Sequence, residues 1–296
     1  MSIPGFLLGA VLGSFCLVLA DRSLTKQTFW GRSYCLHCKK KLHWYDLFPI
    51  FSFVLLKGRC RYCKKKISFA YPVVELITGF LIGFLFWQSF NNFQFSIFNF
   101  QFSIFVLDLL LKVFFVIVLV PLFITDLKTM FIPDRIIKPS LLIGFILSLG
   151  ITVYKISYLY YFLSINSLGK YLLPPYSDYF LRHAFYTAQP FLMSILMTLL
   201  IGGFFMGLII ITRGKGMGGG DVKLGAFMGL MLGFPQGLLA IISSFILGAV
   251  FSIFLIMTGK KHFGQSIPFG PFLVLGSLIA LFWGNQIIEW YLHLSV

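Results

Sequence analysis

Apolar runs recur along this chain at about 3–20, 71–90, 106–125, 136–154, 191–212, 222–236, 237–258 and 269–292, and no other feature constrains the fold as tightly. A helix rises ~1.5 Å per residue, so most of these runs are long enough to cross a hydrocarbon core of ~30 Å. With 58% hydrophobic residues and 37 phenylalanines in 296 positions, the chain carries more apolar surface than a soluble core of this size buries. The expected fold is an all-α polytopic membrane protein of about eight transmembrane helices with a small cytoplasmic zinc-binding insert. The first run is expected to be a retained helix oriented N-out and not a secretory signal, because its basic residues follow it.

A formal net charge of +15 would ordinarily raise nucleic acid as a partner, but its distribution points elsewhere. Of the 24 lysines and arginines, twelve lie in 21–70, three in 126–138 (Lys128, Arg135, Lys138), three in 213–223 (Arg213, Lys215, Lys223) and two at Lys260 and Lys261. If the apolar runs zigzag, all four segments fall on one side. By the positive-inside rule that side is the cytoplasm, which places both termini outside and leaves Lys112, Lys155, Lys170 and Arg182 within or near the opposite side. The expected location is a bacterial-type inner membrane. The basic loop is expected to dock on anionic lipid headgroups, and no nucleic-acid partner is expected.

The organisation expected along the chain is a first transmembrane helix over 1–20, a cytoplasmic zinc-binding loop over 21–70 and a membrane-embedded helix bundle over 71–296. Residues 92–98 and 99–105 repeat the heptad Asn-Phe-Gln-Phe-Ser-Ile-Phe, a duplication with no chemistry of its own. Segment 155–190, rich in Tyr, Leu and Pro, suits an aromatic belt at the membrane surface.

Only nine acidic residues are present, so each can be weighed. Asp126 ends one long apolar run and Asp221 begins another, after Gly216-Met-Gly-Gly-Gly220. The zigzag puts both at the cytoplasmic boundary, where they can meet despite the 94 residues between them. Two close carboxylates in a poorly solvated site cannot both ionise, so one stays protonated while the other accepts a proton from water. That division of labour is aspartyl-protease chemistry. Gly218 and Gly220 leave room for an extended substrate strand beside the acid. The plainer alternative for Asp221 is a helix N-terminal acid favoured by the helix dipole; for Asp126, at a helix C-terminal end, the dipole is unfavourable. Asp134, after Pro133, suits an N-cap and is kept as a supporting site residue.

Cys35-Leu-His-Cys38 and Cys60-Arg-Tyr-Cys63, 21 residues apart, supply four thiolates for one Zn²⁺. A pair of disulfides is the alternative, disfavoured for a cytoplasmic segment. Four protein ligands leave no open coordination position, so the metal's role is structural. Cys16, inside the first run, reads as an ordinary buried residue. Glu75 enters the second run about one turn in, where an acid is costly unless it faces a partner or a polar cavity; a structural helix-end acid is the alternative.

Taken together these residues resemble the type 4 prepilin peptidases, the leader peptidase/N-methyltransferases of pilus, type II secretion and competence systems. The resemblance is carried in order by Gly13-Ser-Phe15 with Arg22, Asp46-Leu-Phe-Pro-Ile-Phe-Ser52, Lys57-Gly-Arg-Cys-Arg-Tyr-Cys63, Ile67-Ser68 and Tyr71-Pro-Val-Val-Glu75. Asp126-Leu-Lys128 with Ile132-Pro-Asp134, and Gly218-Gly-Gly-Asp221 followed by Lys223, then resemble the two aspartate motifs, the second being the G-x-G-D signature of presenilin-like intramembrane proteases. The Asn usual shortly after the G-S-F motif is absent, the Cys16-Leu17 neighbourhood standing in its place, and the 155–190 segment is long. The resemblance implies cleavage of a basic leader from prepilin or pseudopilin precursors, with Asp126 and Asp221 catalytic. It also implies methylation of the new N-terminus from S-adenosylmethionine, with Glu75 and the zinc loop as the region involved. Two competing readings remain, a G-x-G-D protease for other membrane precursors and a proton- or cation-coupled transporter using the same aspartates. A non-catalytic scaffold built on the zinc module would leave the aspartates and the glycine run without a purpose.

Overall fold

The computed structural model describes residues 2–25, 27–29, 31–35, 37–91, 99–214, 217–259 and 267–294. The first copy of the heptad, 92–98, and Lys26, Lys215, Gly216, Lys260 and Lys261 lie outside them. The helices are α1 (Ile3–Leu24), α2 (Phe51–Leu55), α3 (Ala70–Asn91), α4 (Asn99–Thr129), α5 (Asp134–Ile165), α6 (Tyr179–Ile211), α7 (Gly219–Leu232), α8 (Gln236–Met257) and α9 (Gly270–Leu294). Among the described residues, β pairing is confined to two isolated bridges.

Seven of these helices, all but α2 and α7, are long and apolar enough to cross a membrane. The expected span at 222–236 is α7, whose 14 residues reach ~21 Å, short of a ~30 Å hydrocarbon core. It stops because Gly233 adopts φ 64°, a conformation that glycine tolerates and that ends the helix at its C-cap.

Two compact units divide the chain, Met1–Ile97 with Lys112–Ile136 and Phe98–Leu111 with Ile137–Val296. In the first, α1 packs along α3. Gly5, Gly9 and Gly13, four residues apart, share one face of α1. A Cβ on Gly9 would stand 2.6 Å from the Thr78 carbonyl oxygen and 2.8 Å from Gly79 Cα, so the two backbones touch. Small residues of this kind let membrane helices associate by close van der Waals contact. Cys16 is buried, and its thiol donates to the Ile117 carbonyl of α4 at 3.4 Å. The buried stripe of α4 runs through Phe115, Leu119 and Leu122 to Asp126.

In the second unit α7 packs against α6 through Gly225 and Gly229; a Cβ on Gly229 would meet the Met197 carbonyl at 2.6 Å. Asp221, four residues before Gly225, shares that face. Lys155 of α5 pairs with Asp108 at the start of α4 (3.2 Å). α5 and α6 have 32 and 33 residues, ~48–50 Å each, several turns more than a span requires. The aromatic segment 155–190 takes in the end of α5, the connection and the start of α6, and there Tyr160, Tyr161, Tyr171, Tyr176, Phe185 and Tyr186 are exposed.

Candidate functional site

The four cysteines of the loop converge. Their sulfurs lie within 4.8 Å of one another, and all are free thiols. The two C-x-x-C segments fold alike. Cys35 donates its N–H to the Lys40 carbonyl and accepts from Lys39, while Cys60 donates to Lys65 and accepts from Lys64, all at 2.8–3.0 Å. Lys39 and Lys64 both take positive φ (55° and 58°), and the bridges Tyr34–Lys41 and Arg59–Lys66 close the two turns. Sulfurs bound tetrahedrally at ~2.3 Å from one Zn²⁺ stand ~3.8 Å apart. Cys35 Sγ and Cys63 Sγ are 3.8 Å apart, the spacing of two ligands on such an ion, and all four sulfurs lie near enough to share one. Burial opposes the Cys35 thiolate, but the N–H groups of Cys38 and His37 and the neighbouring thiols outweigh it, drawing Cys35 down to about 7. Cys63, favoured as thiolate by the Lys65 N–H but opposed by desolvation and the other three thiols, is pushed up to about 11.

Asp46 braces the second knuckle. Its carboxylate accepts from Arg61 Nε at 2.7 Å, from Tyr62 OH at 3.3 Å and from the His43 N–H at 3.2 Å. Arg22, buried at the end of α1, braces the entry to the first, donating to the carbonyls of Phe29 (2.7 Å), Thr28 (3.4 Å), Gly31 and Arg32 (both 3.3 Å).

Between this module and the ends of α1 and α3 lies a cavity of about 510 Å³, lined among others by Ser14, Asp21, Arg22, Tyr71, Glu75 and Cys60. Glu75 is buried in its wall, and its Oε2 accepts the Ile50 N–H at 2.8 Å. Asp21 also pairs with Lys128 Nζ at 3.0 Å, which ties the cavity wall to the end of α4. The sequence reading picked out Glu75 and the cysteines but missed Asp21 and Tyr71, because nothing in the linear pattern says that the ends of α1 and α3 meet under the loop.

Asp126 lies in the first unit and Asp221 in the second. Asp126 is buried in the last turn of α4, which closes with Met130 at φ 52° donating to the Asp126 carbonyl (2.8 Å). Asp221, half-buried, is in the first turn of α7, with Gly218 at the N-cap in extended conformation. A Cβ on Gly219 would meet nothing within 4 Å among the described residues, so the glycine stretch has open space beside it. Asp134 stands in the first turn of α5, where the helix dipole favours an acid. Lys128 is half-exposed beside Asp21, and Lys223 is half-buried in α7.

Comparison with known proteins places these features in a family. Residues 7–89 match the bacterial peptidase A24 N-terminal domain and residues 113–253 match the type IV leader peptidase family. A prepilin leader peptidase/N-methyltransferase of Bacillus subtilis (strain 168) is 29% identical over 292 residues, 98% of either chain. Proteins of the same name from Aeromonas salmonicida (strain A449) and Legionella pneumophila are each 30% identical, covering 88% and 89% of this chain and 74% and 76% of their own. No solved structure matches.

Proposed function

Because this multi-pass membrane chain belongs to the type IV leader peptidase family, we propose that it removes the basic leader from prepilin-like precursors at the cytoplasmic membrane face and then N-methylates the product. The observation that carries the peptidase half is the match of the family over 113–253, which takes in both Asp126 and Asp221, at opposite ends of their helices.

The proposed catalytic pair is Asp126 and Asp221, which share one proton. The ionised carboxylate takes a proton from water as its oxygen attacks the scissile carbonyl; the protonated one hydrogen-bonds the carbonyl oxygen. The leaving amine then receives a proton from the pair. The pair titrates as a unit, so neither role belongs permanently to one residue. The open flank of Gly218 and Gly219 gives an extended strand access to Asp221, and Lys128, Asp134 and Lys223 support the two helix ends.

For methyl transfer the proposed site is the cavity under the zinc loop. S-adenosylmethionine, when bound, supplies an activated methyl group. The residues fit its chemistry: a sulfonium and an incoming α-ammonium are both cations, and Glu75 and Asp21 put two carboxylates in one cavity wall. Glu75 would orient the new N-terminus and take its proton. Cys35, Cys38, Cys60 and Cys63 would hold a structural Zn²⁺ that steadies the roof. In this division of labour residues 1–20 are the first span, 21–70 the zinc module and 71–296 the peptidase bundle.

The test is co-expression with a prepilin-like precursor in membranes, comparing wild type with Asp126→Asn and Asp221→Asn by gel shift. Loss of leader removal by at least about 100-fold in both variants, each still inserted, supports the pair. Cleavage at the wild-type rate by both would move the transporter reading ahead.

A further inference from the structure

The zinc module carries an apolar face that the proposed chemistry does not use. Phe51, Val54 and Leu55 lie at i, i+3 and i+4 on α2, one side of the helix, with 65%, 66% and 79% of their surface exposed. Ser52, Phe53 and Leu56 on the other side line the cavity. Just upstream, Trp44 in the 3-10 turn Trp44–Leu47 is 74% exposed, with its ring 6.2 Å from the exposed Phe48. Large apolar side chains facing outward on a small polar module require an occupant.

The attachments of α2 set its level. Ile50, immediately before α2, donates its N–H to Glu75, the sixth residue of α3 and so ~7.5 Å from that helix's start at 1.5 Å per residue. Phe53 packs edge-on against Phe69, the residue before α3 (5.8 Å). The 22 residues of α3 reach ~33 Å, little more than the hydrocarbon core, which leaves interfacial layers of ~5–8 Å on each side. The beginning of α2 therefore lies beside the first turns of a membrane-spanning helix, at the depth of the headgroup and acyl boundary. In the same module Lys39, Lys40, Lys41, Lys57, Arg59 and Lys64 are exposed, and Asp46, the sole acid between residues 37 and 69, is already paired with Arg61.

We infer that Trp44, Phe48, Phe51, Val54 and Leu55 form a shallow membrane-inserting face that seats the zinc module on an anionic phospholipid surface, with the surrounding lysines and arginines on the headgroups. Indole and apolar side chains at the boundary, flanked by cations, are the chemistry of interfacial segments. Because the inner side of α2 lines the cavity, the same contact fixes how the cavity is set against the bilayer surface. The inference rests on α3 spanning the membrane and is independent of whether Glu75 serves methyl transfer.

The experiment reconstitutes the full chain in phosphatidylcholine/phosphatidylglycerol vesicles, with and without phosphatidylcholine brominated near the headgroup end of its acyl chains. The fluorescence difference between wild type and Trp44→Phe isolates Trp44. The expected result is quenching of that signal by at least about twofold, as for an indole held 5–10 Å into the boundary. The triple variant Phe51→Ser/Val54→Ser/Leu55→Ser, with bound zinc measured to confirm a folded module, should lose most of the quenching. A Trp44 signal indifferent to brominated lipid and quenched freely by aqueous acrylamide overturns the inference. So does protection from acrylamide that develops only when precursor is added, which would make the substrate's apolar stem the occupant.

Discussion

Ile50 holds a β-branched side chain at φ 63° and ψ −51°, a conformation seldom adopted outside strained turns, and the Glu75 carboxylate accepts its N–H. Glu75 therefore has a structural duty as well as its proposed chemical one, and two substitutions separate them. Glu75→Gln keeps an acceptor for Ile50, so zinc content and leader cleavage should stay at wild-type levels while methylation falls by at least about 100-fold. Glu75→Ala removes the acceptor too, and should also increase proteolytic nicking of the 44–57 segment. The cysteines make a second residue-level prediction. Zinc uptake requires thiolates, so protons compete with the metal. With Cys35 at about 7 and Cys63 at about 11, apparent zinc affinity should fall steadily as pH drops through 7, measurable against a chromophoric chelator. Spacing was enough to find the four cysteines, because two C-x-x-C turns fold locally. The partner of Glu75 was hidden, since Ile50 is 25 residues away and its turn has no sequence signature.

Among the helices, close backbone contact decides what each element can tolerate. Gly9→Val would press a branched side chain into the Thr78 carbonyl and Gly79, parting α1 from α3 and distorting the wall that carries Glu75. A loss of roughly 1–3 kcal/mol is expected from such overpacking, read as a lower Tm in detergent. Gly229→Val should act likewise on α7 against Met197 and so displace Asp221, weakening cleavage as well as stability. The four-residue spacing of Gly5, Gly9 and Gly13 was visible in the sequence, but the helix it faces was not. The run at 222–236 read as a span on composition alone. Gly233 cuts it to 14 residues, and whether a glycine ends a helix or packs within it depends on tertiary contacts.

For the whole molecule, hydrophobic run length carried most of the architecture: seven helices of span length among the described residues, with the cysteine module between the first two of them. The cavity was beyond such reading, because α1, the loop and α3 build it jointly. The proposed orientation, with the loop and both aspartates cytoplasmic, predicts that a periplasm-dependent phosphatase fused within 166–178 is active and one fused within 27–33 is not. In the proposed mechanism two separate sets of carboxylates do two chemistries in succession. Its most direct test is the intact mass of the product formed from one precursor by wild type, Asp126→Asn and Glu75→Gln, reconstituted with S-adenosylmethionine. Wild type should give a cleaved product heavier by one CH2, Glu75→Gln a cleaved but unmethylated product, and Asp126→Asn intact precursor. Cleavage by Asp126→Asn, or full methylation by Glu75→Gln, would contradict the mechanism.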